Sequence, residues 1–261
     1  MSSVTVTRTA TPWGRYALSL LSLLIVLVAW YILTDVTEEI SSLYLPSPTN
    51  VWDTLVQVRS TILDHSLVTL KRVVLSFALG SLLGVAVGLI MSRYRIVFAL
   101  LEPIIEALRP VPPIALIPFF ILWFGIGDFG KLLLAGEGCF MVMVVSTIEA
   151  VRNVPRIYIQ AAQSLGARNA YIYRTVVIPA IIPELIAGFR VALALAFALM
   201  VAAELMGAQQ GLGFMIMVAR RSLNTSTILL GIIIIGLQAA LADQVLRRLT
   251  KRLTAWTERD R

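Results

Sequence analysis

The chain has 261 residues, 58% hydrophobic and only 14% charged, with a mean hydropathy of +0.86. A soluble domain carries about 25% charged residues, so this composition excludes a water-soluble globule. The apolar runs are continuous, which excludes a β-barrel with its alternating strands. The formal charge of +7 invites a nucleic-acid partner, but excess Lys and Arg in a membrane protein mark cytoplasmic loops, and no nucleic acid is expected. One Cys (Cys139) and one His (His65) rule out a disulfide framework or a Cys/His metal cluster. The fold class is therefore all-α and polytopic.

Residues 1–15 are polar and carry Arg8 and Arg15; Tyr16–Thr34 then runs uncharged, long enough to cross a core of about 30 Å. Asp35-Val36-Thr37 offers no small-x-small cleavage site, so the segment reads as an uncleaved first membrane helix. Residues 35–65 are acidic and turn-rich, with Asp35, Glu38, Glu39 and Leu45-Pro46-Ser47-Pro48. Val51, Leu55, Val58 and Ile62 then fall at helical spacing. That pattern predicts either a short amphipathic helix on the membrane surface or a solvated loop.

The second span covers Ser66–Met91, where Gly80, Gly84 and Gly88 line one face and invite close helix packing. In the third segment Glu102, Glu106 and Arg109 share a face, ahead of Pro110-Val111-Pro112-Pro113 and an apolar run to Trp123. Ionisable residues and prolines at membrane depth call for protein or a water-filled cavity beside them. This segment is either part of a pathway or a kinked structural helix. Gly125–Lys131 fits both G-x-G-x-x-G and G-x-x-x-x-G-K, but Leu132 stands where the second pattern needs Ser or Thr, and membrane-length segments flank it. It reads as a turn, not a nucleotide site. A fourth span, Lys131–Val151, contains Glu137 and Glu149. A fifth, Ala180–Met206, contains Glu184, Arg190 and Glu204. Gly207–Gly213 leads to a shorter apolar helix, and the sixth span is Thr225–Ala242. The division expected is 1–65 (tail, first span and amphipathic segment), 66–246 (core) and 247–261 (basic tail).

With six spans both termini share a side. One side holds Arg8, Arg15, Arg93, Arg95, Arg152, Arg156, Arg168, Arg174 and the C-terminal Arg247, Arg248, Lys251, Arg252, Arg259 and Arg261. The other holds Arg59, Lys131, Arg220 and Arg221. The bias places both ends and the loop at about 152–179 in the cytoplasm.

That loop is too long for a plain helix–helix connection. Asn153 is a candidate N-cap with Pro155 in the first turn. Gly166 is a left-handed C-cap, Asn169 caps a second helix, and Pro179 ends or kinks it. Ala161 and Ala162 leave a shallow face that a partner cleft could approach.

Gln160-Ala161-Ala162, Gly166 and Val176-x-Ile178-Pro179 resemble the EAA-x3-G-x9-I-x-L-P signature of binding-protein-dependent (type I) ABC importer permeases, with Gln160 in place of Glu. The substitution puts any salt bridge from that position in doubt, but not the helix–turn–helix. L-P-S-P, R-P-V-P-P, W-F-G-I-G, A-A-E-L, G-L-G-F-M and K-R-L-T-x-W extend the likeness to the nitrate, sulfonate and taurine group, taurine permeases most closely.

The resemblance implies a six-helix type I permease fold in a bacterial inner membrane. It also implies a homodimer of permease subunits in membrane lipid, two ABC ATPase subunits that hydrolyse ATP with Mg, and a periplasmic or lipid-anchored solute-binding protein. This chain binds no cofactor and catalyses nothing. Pro155, Gln160, Ala161, Ala162, Ser164, Leu165, Gly166, Ala167 and Pro179 would form the ATPase-coupling loop. The solute would be taurine or another alkanesulfonate; nitrate, bicarbonate or another small anion is the alternative. The translocation path is expected at Arg109, Pro112, Pro113, Arg190 and Glu204. Arg109 and Arg190 either face a cavity that attracts an oxyanion or pair structurally, Arg109 with Glu106 and Arg190 with Glu184 or Glu204. An intramembrane enzyme is a remote reading, since no nucleophile–base pair or metal-ligand set is evident.

Overall fold

The computed structural model describes residues 12–37 and 40–251, and the regular structure among them is helical, with no strand. Arg8, Glu38, Glu39 and the terminal Arg252, Arg259 and Arg261 lie outside the described residues. The chain divides into two compact units, 1–59 with 219–230 and 60–218 with 231–261.

In the smaller unit, α1 (Pro12–Tyr31) runs on through a π-turn, Ile32–Val36. Trp30 Nε1 donates to the Pro46 carbonyl at 3.1 Å and the Thr49 hydroxyl to Asp35 at 2.8 Å. These bonds fold the Leu45–Pro48 turn back onto the end of α1. The Ser47 hydroxyl then accepts the Asn50 N–H and starts α2 (Pro48–Gln57), with Pro48 at N1, where its missing N–H leaves no bond unmade. The stripe expected for one surface helix is divided. Val51 is in α2, Val58 leaves helical geometry at its C-cap, and Ile62 belongs to the next helix. Val51 and Ile62 are buried, and Leu55 and Val58 half-buried.

The larger unit is built on α3 (Arg59–Arg93), α4 (Arg95–Leu108), α5 (Ile117–Phe124), α6 (Asp128–Asn153), α7 (Arg156–Ser164), α8 (Asn169–Ile172) and α9 (Ile178–Gly207). After these come α10 (Leu212–Arg221) and α11 (Thr225–Lys251), of which residues 219–221 and 225–230 belong to the smaller unit. The core lies where α3, α6 and α9 meet, at Val73, Ala135, Cys139, Met143, Ala192, Ala196 and Met200. Cys139 is a core residue whose thiol donates to the Ala192 carbonyl. The glycine stripe of α3 lies on α6. A Cβ at Gly80 would run into the Gly136 carbonyl, one at Gly84 would come within 2.6 Å of the Phe140 carbonyl, and one at Gly88 within 2.7 Å of Thr147. The backbones touch because no side chain stands between them.

Among the described residues four helices are long and apolar enough to cross a membrane: Arg59–Arg93, Asp128–Asn153, Asn169–Gly207 and Thr225–Lys251. The third predicted span is two helices, α4 and the segment Pro113–Phe124, bent by 84°. Pro110, Pro112 and Pro113 explain the break, since three missing or displaced N–H groups in four residues cannot sustain a helix. Counting that pair as one gives five spans among the described residues where the sequence predicts six; the apolar part of the first, Leu20–Val36, is a shorter helix.

Candidate functional site

Two polar arrangements stand at opposite ends of the α6–α9 pair. The first is the loop between them. α6 runs through Asn153, so Asn153 is its last residue rather than the N-cap expected, and its amide donates to Glu184. Pro155 holds the N-cap position of α7, and its fixed φ suits the turn. Gln160, Ala161 and Ala162 lie in α7, and the Ser164 hydroxyl bonds back to the Gln160 carbonyl. Gly166 has φ +78°. Its N–H donates to Gln163, and Ala167 N–H donates to Ala162. This pair of bonds is a Schellman motif, which needs a residue free to adopt positive φ. Ala162 and Gly166 are thus mechanically linked: one carbonyl accepts the bond that the other's turn makes possible.

The caps of the second helix also differ from those expected. Arg168, not Asn169, is the N-cap residue of α8. Pro179 does not end the second helix. A π-turn at Tyr173–Val177 joins α8 to α9, and the whole stretch Asn169–Gly207 is one helix. The wide turn brings Pro179 into the first turn of α9, where its absent N–H is tolerated.

The loop is mounted on the bundle through an apolar cluster. Ala150, Val154, Val177 and Ile181 are buried there, with Leu89, Ile159 and Tyr173 packed around them. On the opposite side of the loop Ile157, Tyr158, Leu165 and Tyr171 are exposed, Leu165 at 88%. Tyr158 and Ala161 of α7 and its C-cap Leu165 follow one another at i, i+3, i+7, which aligns them along one side.

The second arrangement lies at the far end of α9. Glu204, 1% exposed, accepts from Thr69 Oγ1 (2.9 Å), Arg72 (2.7 Å) and Gly213 N–H (3.0 Å). Arg72 also donates to the Gln210 carbonyl and to Asp128, both from α3 across to neighbouring segments. Leu212 N–H donates to Thr69, and Gly211 N–H to His65 Nδ1. Gly211, at φ +111°, lies so close that a Cβ would collide with the Glu204 carboxylate. The Gly125–Gly130 turn, which leads into α6, is closed by Lys131, whose ammonium donates to the Ile126 and Gly127 carbonyls. A lysine so used is a cap on the turn.

The predicted path residues are not brought together. Arg109 stands beside Glu106 (3.7 Å) and Glu149 (3.8 Å) and lines a groove between α4 and α6 with Glu137 and Ser146. Pro112 is exposed and Pro113 half-buried at the break. Arg190 pairs with Asp243 of α11 through two bonds, 2.7 and 3.1 Å, and with neither Glu184 nor Glu204. Glu204 is enclosed by the Arg72 cluster. Sequence reasoning missed Arg72 and Thr69 as Glu204's partners. The available signal was a charged residue, Arg72, well inside an apolar span, which a membrane helix keeps only with a partner.

A family model described as "Binding-protein-dependent transport system inner membrane component" matches residues 80–255, which include the loop and Glu204. The chain belongs to this family. It is 37% identical over 249 residues to the taurine transport system permease protein TauC of Escherichia coli (strain K12), covering 93% of this chain and 90% of that one. It is 30% identical over 234 residues to the putative aliphatic sulfonates transport permease protein SsuC of Bacillus subtilis (strain 168), covering 89% and 84%. Among solved structures, an inward facing conformation of the MetNI methionine ABC transporter matches 74% of this chain and 98% of that chain, with a TM-score of 0.58 and 20% identity, a likeness of fold. The permease is a multi-pass inner-membrane subunit of an ABC importer that works with a solute-binding protein and an ATPase, and is not itself an enzyme.

Proposed function

We propose that this permease carries a small sulfonate, taurine or a related alkanesulfonate, inward across the membrane, and that the 152–179 loop is where the ATPase engages it. The observation that carries the coupling role is the exposed face of α7. Tyr158 and Ile157 on a short helix, and Leu165 at its C-cap, stand out from a loop that the Val154–Ile181 cluster anchors. An exposed apolar patch on a rigid mount marks an interaction surface. Pro155, Gln160, Ala161, Ala162, Ser164, Gly166, Ala167 and Pro179 shape and present it.

In this reading the permease is a homodimer embedded in lipid, on two ATPase subunits that bind and hydrolyse ATP with Mg, and a periplasmic or lipid-anchored binding protein delivers the solute. Both termini and the loop are cytoplasmic, on the strength of the Lys and Arg bias. The solute passes beside the α4–α5 break, along the groove that holds Arg109 near Pro112 and Pro113. Glu204 and Arg190 hold helices in place around it. The choice of sulfonate over nitrate rests on relatives: the two sulfonate-type permeases share 37% and 30% identity, against 27% for the nitrate import permease protein NrtB of Leptolyngbya laminosa.

The test is one pair of strains. Cells lacking their own copy and supplied with this transporter should grow on taurine as sole sulfur source, and Leu165→Asp should abolish that growth. The Leu165→Asp permease should reach the membrane at normal abundance but lose its ATPase on purification. Full ATPase retention would refute the docking surface; growth on nitrate alone as the rescued trait would refute the sulfonate.

A further inference from the structure

The loop has two covalent attachments, to α6 through Val154-Pro155 and to α9 through the unbroken helix. It also has a third attachment that is not covalent. The hydroxyl of Tyr173 donates to the main-chain carbonyl of Leu89 on α3 at 2.8 Å. The same residue's carbonyl accepts the Ile178 N–H that closes the π-turn. Tyr173 is therefore tied by its backbone to the wide turn at the root of α9 and by its side chain to α3. Its ring packs in the Val154–Ile181 cluster, and the Arg93 guanidinium lies 6.0 Å from its centroid and 5.5 Å from that of Tyr94.

The placement is selective. A carbonyl inside a helix is already bonded along the axis, so a second donor reaching it from another element must be held accurately. The π-turn does the holding. An extra residue in one turn rotates the rest of the helix about its axis, and such bulges concentrate where a helix has a second task. Without the Tyr173 bond, the link from loop to α3 would rest on Leu89 side-chain packing and the Arg93 guanidinium over the ring, contacts that resist compression better than sliding. α3 carries the Gly80–Gly88 contact with α6 and the Thr69–Arg72 contacts with Glu204, so whatever moves α3 moves the polar cluster as well.

We propose that Tyr173 is a positioning residue of the transport cycle, clasping α3 to the root of α9 so that loop displacement moves α3, α6 and α9 as one body. The assignment builds on the loop being the ATPase contact, and two measurements separate the two ideas. The first needs neither ATPase nor solute. In a Cys139→Ala background, spin labels at exposed positions 165 and 79 report loop-to-α3 distance in the purified permease. Tyr173→Phe keeps the ring and removes the hydroxyl, and should broaden that distribution about twofold; an unchanged width overturns the clasp.

The second measurement uses the complete transporter in liposomes with radiolabelled taurine. Tyr173→Phe should retain its ATPase and binding-protein-stimulated hydrolysis within about twofold, while the ATP hydrolysed per taurine imported rises about three- to tenfold, the factor expected for one lost half-buried hydrogen bond. An unchanged ratio overturns the positioning role even where the width has changed. Loss of the bound ATPase in Tyr173→Phe also overturns it, because the hydroxyl would then maintain the docking surface itself. Failure of the docking idea shows separately, as an ATPase that remains bound to Leu165→Asp.

Discussion

Arg72 sits in the middle of the α3 sequence with three acceptors around its guanidinium: Glu204, Asp128 and the Gln210 carbonyl. The divergent N–H groups of a planar guanidinium can serve three separate acceptors at once, which the single ammonium of Lys matches less well. Removing one partner of a buried ion pair leaves a bare charge and costs about 3–5 kcal/mol, whereas removing both can be nearly neutral. Glu204→Leu is therefore expected to cut membrane abundance and lower the thermal transition of the detergent-purified complex strongly, and the Arg72→Leu/Glu204→Leu pair to recover much of the loss. A double variant as unstable as the sum of the singles would remove the pair from the explanation. At this scale the sequence was only partly legible. A charge inside an apolar span announces a partner, but Thr69, Arg72 and Glu204 are joined by folding across more than 130 positions, and no spacing rule links them. Arg190 illustrates the same limit: Glu184 and Glu204 are the two partners the sequence suggests, and Asp243, on α11, holds it.

Among the elements, hydrophobic runs marked the long spans well because a bilayer demands continuous apolar length. The glycine period on α3 also translated directly into a packed face. Gly84 meets both the Phe140 carbonyl and the Met143 side chain, so Gly84→Leu should force α3 and α6 apart at a cost of about 1–3 kcal/mol or more. Abundance and complex stability should fall, while Gly236→Leu, whose Cβ would meet nothing, should leave both near wild type. Equal behaviour of the two variants would show that the stripe is not a contact. Ends and breaks were harder to read. Asn153 and Asn169 both look like caps, yet helix α6 absorbs the first and Arg168 displaces the second. Pro179 looks like a stop, yet the π-turn accommodates it, and a π-turn has no residue signature of its own.

On the scale of the whole molecule, the Lys and Arg asymmetry makes a topology statement that can be checked directly. A cysteine replacing Tyr158 in α7 should be shielded from a membrane-impermeant maleimide in intact cells and react after lysis. One replacing Asp53 in α2 should react in intact cells. The reverse pattern would invert the chain in the membrane. The turn of the loop was the most legible part of the candidate site because its signature spacing is itself a mechanical requirement: the carbonyl of Ala162 and the positive φ of Gly166 must be four residues apart to close the turn. The solute's route was the least legible, since a path is a property of surfaces that face one another and not of any one stretch.

The helix from Asn169 to Gly207 has 39 residues and no break in it. At 1.5 Å per residue it is about 58 Å long, roughly twice the hydrocarbon thickness of a bilayer. One end carries Tyr171 and the loop; the other carries Glu204 and the turn to Gly211. A rod of that length tilted by about 10° around its middle moves its tips about 5 Å in opposite directions. A push at one membrane face thus arrives at the other with its sign reversed, and a single rigid part can narrow one mouth as it widens the other.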